Sequence, residues 1–276
     1  MNYRGRFAPS PSGPLHFGSL VAAVASYLDA RTAGGEWLVR IEDIDTPRNV
    51  QGAAEHILET LYAFGFTVDG DVLWQSSRVA AYQQALDQLL RDGAVFPCGC
   101  SRKDVGDVYA GKCRHGLTTG PRSWRLRVDD SPVVFSDRLL GPQSEVLSNS
   151  VGDFVLKRAD GLWAYQLAVV VDDAFQGVTH VVRGADILGS TARQIYLQKA
   201  LGLPTPVYLH IPLAMNADGE KLSKQTMAPA ITRENAAEEL GRALRFLGQD
   251  APNFDSVEEA WKWAFDHWET ARITHA

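Results

Sequence analysis

The chain has 276 residues, with 27 Lys and Arg against 33 Asp and Glu, a net charge of −6, 45% hydrophobic residues and 22% charged ones. Those figures suit a soluble globular protein of one large domain or two modest ones, and they exclude disordered, collagen-like and disulfide-stapled chains. The acidic balance argues against a protein that coats nucleic acid by bulk charge. The apolar run at residues 167–171 is stopped by Asp172 and Asp173, far short of the roughly 20 residues of a membrane span. The first six residues lack the apolar stretch of a signal peptide. A cytoplasmic monomer with no membrane partner is expected.

The first 95 residues alternate strand and helix signals. An extended segment at 3–8 runs into Pro9, Pro11, Gly13 and Pro14, which force a turn. A helix follows over 20–33, with Leu20, Val21, Val24, Tyr27 and Leu28 on one face and Gly34-Gly35 as its stop. Residues 36–42 read as a strand, 50–64 as a helix closed by Gly65, and 77–91 as a helix closed by Gly93. This β-α-β order predicts an α/β fold with a Rossmann-like, doubly wound parallel sheet.

From Phe96 the texture changes to a turn-rich patch with three cysteines, followed by short strands at 124–128, 133–135 and 154–157. We read 96–162 as an inserted α+β subdomain between two halves of a catalytic domain, 1–95 and 163–230. The alternating texture resumes with 163–171 and 178–183, then a helix at 188–201, an extended 207–213, and a helical tail over 231–276 with helices at 233–247 and 256–271. Charge is unevenly spread. Between Cys98 and Arg127, seven basic residues face two acidic ones, a net of +5, whereas residues 233–276 carry five basic and nine acidic residues, a net of −4.

Several constellations carry chemistry. In Arg6-Phe-Ala-Pro-Ser-Pro-Ser-Gly-Pro-Leu-His16-Phe-Gly18-Ser19 a strand ends in a loop and then opens a helix, whose free N–H groups and partial positive charge suit a phosphate. Gly18 admits a nucleotide close to the backbone, and His16 can stabilise charge on a transferring phosphate; the plainer alternative is that His16 only caps the helix. Lys221-Leu-Ser-Lys224-Gln225 can clamp a triphosphate, against the alternative of a solvated basic turn. In Glu42-Asp43-Ile-Asp45, just past a strand end where open α/β sheets place ligands, a carboxylate can hold a substrate ammonium, against the alternative of a solvated acidic turn. Cys98, Cys100 and Cys113 read as a metal clip in a reducing compartment, and three thiolates plus one more ligand make a tetrahedral zinc site. His115 is the chemically ordinary fourth ligand.

The sequence resembles the class I aminoacyl-tRNA synthetases, whose HIGH and KMSKS signatures stand here as His16-Phe-Gly-Ser19 and Lys221-Leu-Ser-Lys224-Gln225. Arg6-Phe-Ala-Pro-Ser-Pro-Ser-Gly and Arg40-Ile-Glu-Asp-Ile-Asp-Thr-Pro-Arg48 are similar to the glutamyl branch, and the likeness covers roughly residues 4–230. Ser19 stands in place of the second histidine of HIGH and is given no catalytic role. The resemblance implies an ATP-dependent ligase with His16, Lys221 and Lys224 as catalytic residues and His16, Gly18 and Lys224 at ATP. It implies that Arg6, Ala8, Ser10, Glu42, Tyr165 and Arg183 hold L-glutamate. It also implies Mg²⁺ accompanying ATP and one structural Zn²⁺, with Tyr109 completing the cysteine site.

Only 49 residues follow Met227, whereas an anticodon-binding domain needs on the order of 100. The chain therefore resembles the truncated paralogues of the glutamyl branch. These activate glutamate without tRNA and transfer it to queuosine in the anticodon of tRNA(Asp). The basic segment 102–127 would hold the RNA backbone. Two alternatives stay open: a compact synthetase charging the 3′ end of tRNA(Glu), and a non-catalytic RNA-binding relic.

Overall fold

The computed structural model describes residues 2–117, 120–215 and 230–274. Strand β1 (Arg4–Phe7) ends at the proline-rich turn, and helix α1 (Phe17–Thr32) begins three residues earlier than the apolar pattern suggests, because His16 is its N-cap and its ring Nδ1 accepts from the Ser19 N–H. Almost every face of α1 is buried, which explains its small side chains Ala23, Ala25 and Ala30. Strand β2 (Glu36–Ile41) returns parallel to β1, with Arg6 opposite Leu38. Helix α2 (Ala53–Ala63), the short strand β3 (Leu73–Trp74), parallel to β2, and helix α3 (Val79–Arg91) complete this half.

The next segment divides its strands between two sheets. Strands β4 (Val95–Cys98) and β5 (Ser123–Leu126) pair antiparallel. Strands β6 (Val133–Asp137) and β7 (Gly141–Glu145) form a hairpin, and the one-turn helix α4 (Leu147–Ser150) leads to β8 (Phe154–Lys157), which pairs with β5. Helix α5 (Tyr165–Phe175) precedes β9 (His180–Gly184), α6 (Leu188–Leu201) and β10 (Val207–Ile211). The run Leu167–Val171 is thus helical; a short apolar stretch rich in β-branched residues does not by itself declare its period.

The second sheet, parallel except for the β6–β7 hairpin, has the order β7-β6-β10-β9. Residues 133–145, which the sequence reading assigns to the insert, therefore lie at the edge of this sheet, with β10 parallel to both β6 and β9. The two parallel sheets meet where the Thr179 N–H donates to the Arg4 carbonyl at 2.9 Å. The tail helices α7 (Ala236–Phe246) and α8 (Val257–His267) are part of the main core. Phe246 meets Phe17 edge-on, and Trp261 packs against Tyr27 while its indole donates to the Phe64 carbonyl at 2.8 Å.

Candidate functional site

A cleft of about 450 Å³ opens where β1, β2, β9 and β10 end. Its lining includes Arg6, Ala8, Ser10, His16, Gly18, Glu42, Tyr165 and Arg183, so residues up to 177 positions apart converge on it. Lys221 and Lys224 lie outside the described residues.

One wall is an alternating network of buried charges. Asp173 on α5 accepts from Arg6 Nε at 3.2 Å and from Arg40 Nη1 at 2.7 Å, and Arg40 Nη2 reaches Glu42 Oε1 at 3.3 Å. The two carboxylates differ in kind. Burial favours the neutral acid at Asp173, but two arginines overcome it and hold that carboxyl below its usual range. At Glu42 burial prevails over Arg40 and Arg6, and the acid is pushed up. Glu42 is thus a carboxylate with less positive charge around it than its burial demands, a fitting place for an ammonium group.

The cleft also carries Arg183, at the end of β9 and 5% exposed. Its Nε donates to His210 Nε2 at 3.0 Å, Nη1 to Gln194 at 2.8 Å and Nη2 to Thr191 at 2.7 Å, and its guanidinium lies over the Tyr208 ring. All these partners are neutral, and among the described residues no carboxylate lies within ion-pair distance of it. A buried guanidinium with one neutral acceptor per nitrogen keeps N–H groups and a positive charge that suit an anion. Tyr165 borders the same space, and burial raises its phenol above the ordinary value, so it offers a neutral hydroxyl.

The other end of the cleft is the N-terminus of α1. His16 both caps this helix and lines the cleft, so the two readings of it are compatible. The Ser19 N–H bond makes Nδ1 an acceptor, and Ser19 Oγ lies 3.1 Å from Nε2. Gly18 adds no side chain at the cleft wall. This end offers N–H groups and a partial positive charge to a phosphate.

The cysteines form a separate cluster. The sulfurs of Cys98, Cys100 and Cys113 all lie within 4.8 Å of one another. The Tyr109 hydroxyl is 3.4 Å from the Cys98 sulfur and accepts from the Cys113 N–H at 2.9 Å. Burial opposes ionisation of Cys98, but hydrogen bonds from Tyr109, the Cys100 N–H and Arg125 bring its thiol down to about 7. His115 is exposed and is not among the residues whose ligand atoms converge there. Three thiols with a phenol among them are a chemically suitable zinc donor set.

The basic segment is less available than its charge count suggests. Arg114 is bound to Asp153 and to the Val128 carbonyl. Arg125 donates to the Asp153 carbonyl and covers the Tyr109 ring, and Arg127 covers Phe96 and donates to the Arg114 carbonyl. These three hold the subdomain together, whereas Lys103, Lys112 and Arg122 are exposed.

Sequence reasoning missed Asp173, Arg40, His210 and Asp137 as site residues. The available signal was charge inside apolar strands and helices: Arg40 in a buried strand, His210 within Val207–Ile211, and Asp173 in the aspartate pair that follows a run of three valines.

Parallel strand ends, a helix N-terminus and a pocket lined by buried charges of both signs define an α/β ligand-binding body. The family model for the catalytic domain of class I tRNA synthetases (E and Q) matches residues 2–245. A glutamyl-Q tRNA(Asp) synthetase from Dechloromonas aromatica (strain RCB) is 59% identical over 282 residues, covering 96% of this chain and 94% of that one. Its counterpart from Aromatoleum aromaticum is 55% identical over 280 residues, covering 96% and 89%. The crystal structure of a glutamate tRNA ligase from Elizabethkingia meningosepticum in complex with its amino acid matches with a TM-score of 0.84 at 24% identity, over all of this chain and 66% of that one. The chain belongs to the class I glutamyl and glutaminyl synthetase family, and within it to the glutamyl-Q tRNA(Asp) synthetases.

Proposed function

We propose that the protein activates L-glutamate with ATP, without tRNA, and transfers the glutamyl group to queuosine in the anticodon of tRNA(Asp). The observation that carries the amino-acid half is the charge pattern of the cleft. Among the described residues Arg183 is a buried cation without a counter-ion, Arg6 lines the same cleft from the end of β1, and Glu42 is an under-compensated carboxylate in the same lining. Glutamate supplies the complement, two carboxylates and one ammonium. Relatives bearing the glutamyl-Q name support the acceptor.

In the first step an oxygen of the glutamate α-carboxylate attacks the α-phosphorus of ATP, and pyrophosphate leaves. Mg²⁺ arrives with the triphosphate as part of that substrate. The α1 N-terminus and His16 stabilise the developing phosphate charge, and Lys221 and Lys224 follow the leaving pyrophosphate. In the second step a hydroxyl of the queuosine cyclopentene ring attacks the acyl carbon, AMP leaves, and the hydroxyl proton is released. Ala8, Ser10 and Tyr165 shape the glutamate site, and Gly18 admits the nucleotide. Cys98, Cys100, Cys113 and Tyr109 would hold one Zn²⁺, whose contribution is a cross-link that fixes the subdomain. Among the described side chains of the basic segment, Lys103, Lys112 and Arg122 are left to contact RNA phosphates.

The test is incubation with ATP, labelled glutamate, and tRNA(Asp) with or without queuosine, alongside tRNA(Glu). Label confined to the queuosine-containing tRNA, with glutamate-dependent ATP–pyrophosphate exchange in its absence, is the expected result. Label on tRNA(Glu), or no exchange with any amino acid, overturns the reading.

A further inference from the structure

Arg183 is held more rigidly than a surface-facing arginine needs to be, and the groups that hold it come from four separate elements. His210, on β10, is fully buried, and Asp137, at the end of β6, is 2% exposed. Asp137 Oδ2 lies 2.7 Å from His210 Nδ1, while Oδ1 accepts the N–H groups of Leu139 and Leu140 at 3.0 and 2.9 Å. An ionised carboxylate only accepts, so Nδ1 carries the imidazole proton. Nε2 is then a lone pair, and it faces Arg183 Nε, a group that only donates, at 3.0 Å. The Thr191 hydroxyl accepts from Arg183 Nη2 and lies 3.1 Å from the same Nε2, so its proton also points to the imidazole. Gln194 is oriented likewise: its amide nitrogen donates to Gln166, whose own amide nitrogen donates to Ser190, which leaves the Gln194 oxygen for Arg183 Nη1.

We propose that Asp137 and His210 are positioning residues that select the Nδ1–H tautomer and thereby aim the Arg183 guanidinium at a carboxylate of the substrate. The proposal rests on glutamate occupying this cleft. Each nitrogen of the guanidinium has one neutral acceptor, so its plane is set before the ligand arrives and its remaining N–H groups stay available for a bidentate carboxylate. A counter-ion in direct contact would also have set the plane, but it would have competed with the substrate. Relaying the Asp137 charge through a neutral imidazole orients Arg183 without neutralising it. Burial and the neighbouring Arg183 lower the His210 pKa against the pull of Asp137, which keeps the ring neutral at pH 7.

Asp137→Asn is the sharpest perturbation. Leu139 and Leu140 N–H groups hold the amide oxygen in the Oδ1 place, so the amide nitrogen falls opposite His210 Nδ1 and donates to it. The imidazole proton moves to Nε2, where it opposes the Arg183 Nε–H. In glutamate-dependent ATP–pyrophosphate exchange, D137N should raise the KM for glutamate roughly tenfold or more while the KM for ATP and kcat stay within about threefold. His210→Leu should do the same, and His210→Gln, whose oxygen can accept from Arg183, should recover most of the loss. A purely structural role predicts equal losses for both substrates and no rescue by Gln, and that pattern overturns the proposal, as does an unchanged glutamate KM in D137N. ¹⁵N NMR of the unmodified protein at pH 7 is independent of turnover: a protonated Nδ1 and bare Nε2 at His210 support the relay, and the opposite tautomer or an imidazolium refutes it. Absence of exchange in the unmodified enzyme would count against the functional reading alone, leaving the NMR result to decide the relay.

Discussion

Asp173→Asn and Glu42→Gln are near-isosteric changes that each neutralise one carboxylate of the same four-residue network, and they should move stability in opposite directions. Asp173 is 5% exposed and serves both Arg6 and Arg40. Its loss leaves two buried guanidinium groups sharing Glu42, which reaches only Arg40, and at 3.3 Å. Breaking a buried pair from one side costs about 3–5 kcal/mol. At about 2–4 °C per kcal/mol for a domain of this size class, Tm should fall on the order of 10 °C. Glu42 behaves otherwise, because burial outweighs Arg40 and raises its folded pKa above the ordinary 4.5. A raised acid binds more protons folded than unfolded in the window just above 4.5, so stability declines as pH rises through it. At pH 7, above the ordinary pKa, an acid whose folded pKa is raised is a net cost to folding, and Gln removes it. Urea unfolding at pH 7 should show E42Q as stable as the parent or more so, with glutamate-dependent exchange lost. A loss above about 2 kcal/mol in E42Q, or below about 1 kcal/mol in D173N, refutes the reasoning.

The metal cluster leans on one glycine: Gly152 has φ +68°, and a Cβ there would lie 2.1 Å from the Tyr109 carbonyl oxygen. Gly152→Ala should cost at least about 1–3 kcal/mol and weaken zinc retention, read by urea titration and metal content; full metal occupancy at parental stability contradicts this. Purified protein should contain one zinc per chain, and chelation should lower stability. Tyr109→Phe should accelerate zinc loss while His115→Ala leaves it unchanged, and the reverse ranking assigns the fourth ligand to His115. His210 carries a folded pKa below its ordinary 6.5, set by burial, Arg183 and Arg6 against Asp137, so its stabilising share is complete above 6.5 and is lost as pH falls below that. Between pH 7 and 5, H210Q should therefore lose less stability than the parent, by at most about 1.4 kcal/mol per pH unit; parallel profiles would remove His210 as the titrating group. Asp137 does not confuse this window, since its lowered pKa places its own transition below about 3.8.

Much of the architecture is legible along the chain because its determinants are short-ranged. Helix α6 occupies the span that its apolar spacing and closing Gly202 indicate, and β1, β2 and β10 fall within the extended segments expected for them. Motif residues from the N-terminal loop, Glu42, Tyr165 and Arg183 do reach one cleft, since each sits at a strand end or a helix start, and parallel sheets gather such ends. Three features depend on contacts that the local pattern does not encode. Arg6 finds its carboxylate 167 positions away, and His210 finds its own 73 positions away. Arg114, Arg125 and Arg127 look like an RNA-binding run in sequence, yet they are spent inside the subdomain on Asp153, Tyr109 and Phe96. Strand β6 has the same alternating texture as the insert strands but hydrogen-bonds to β10. Sequence alone therefore determined which residue types stand at the ends of which elements. Only the tertiary structure decided which charges are paired and which are left for a ligand, because a charge's balance depends on its buried neighbours, wherever in the chain they arise.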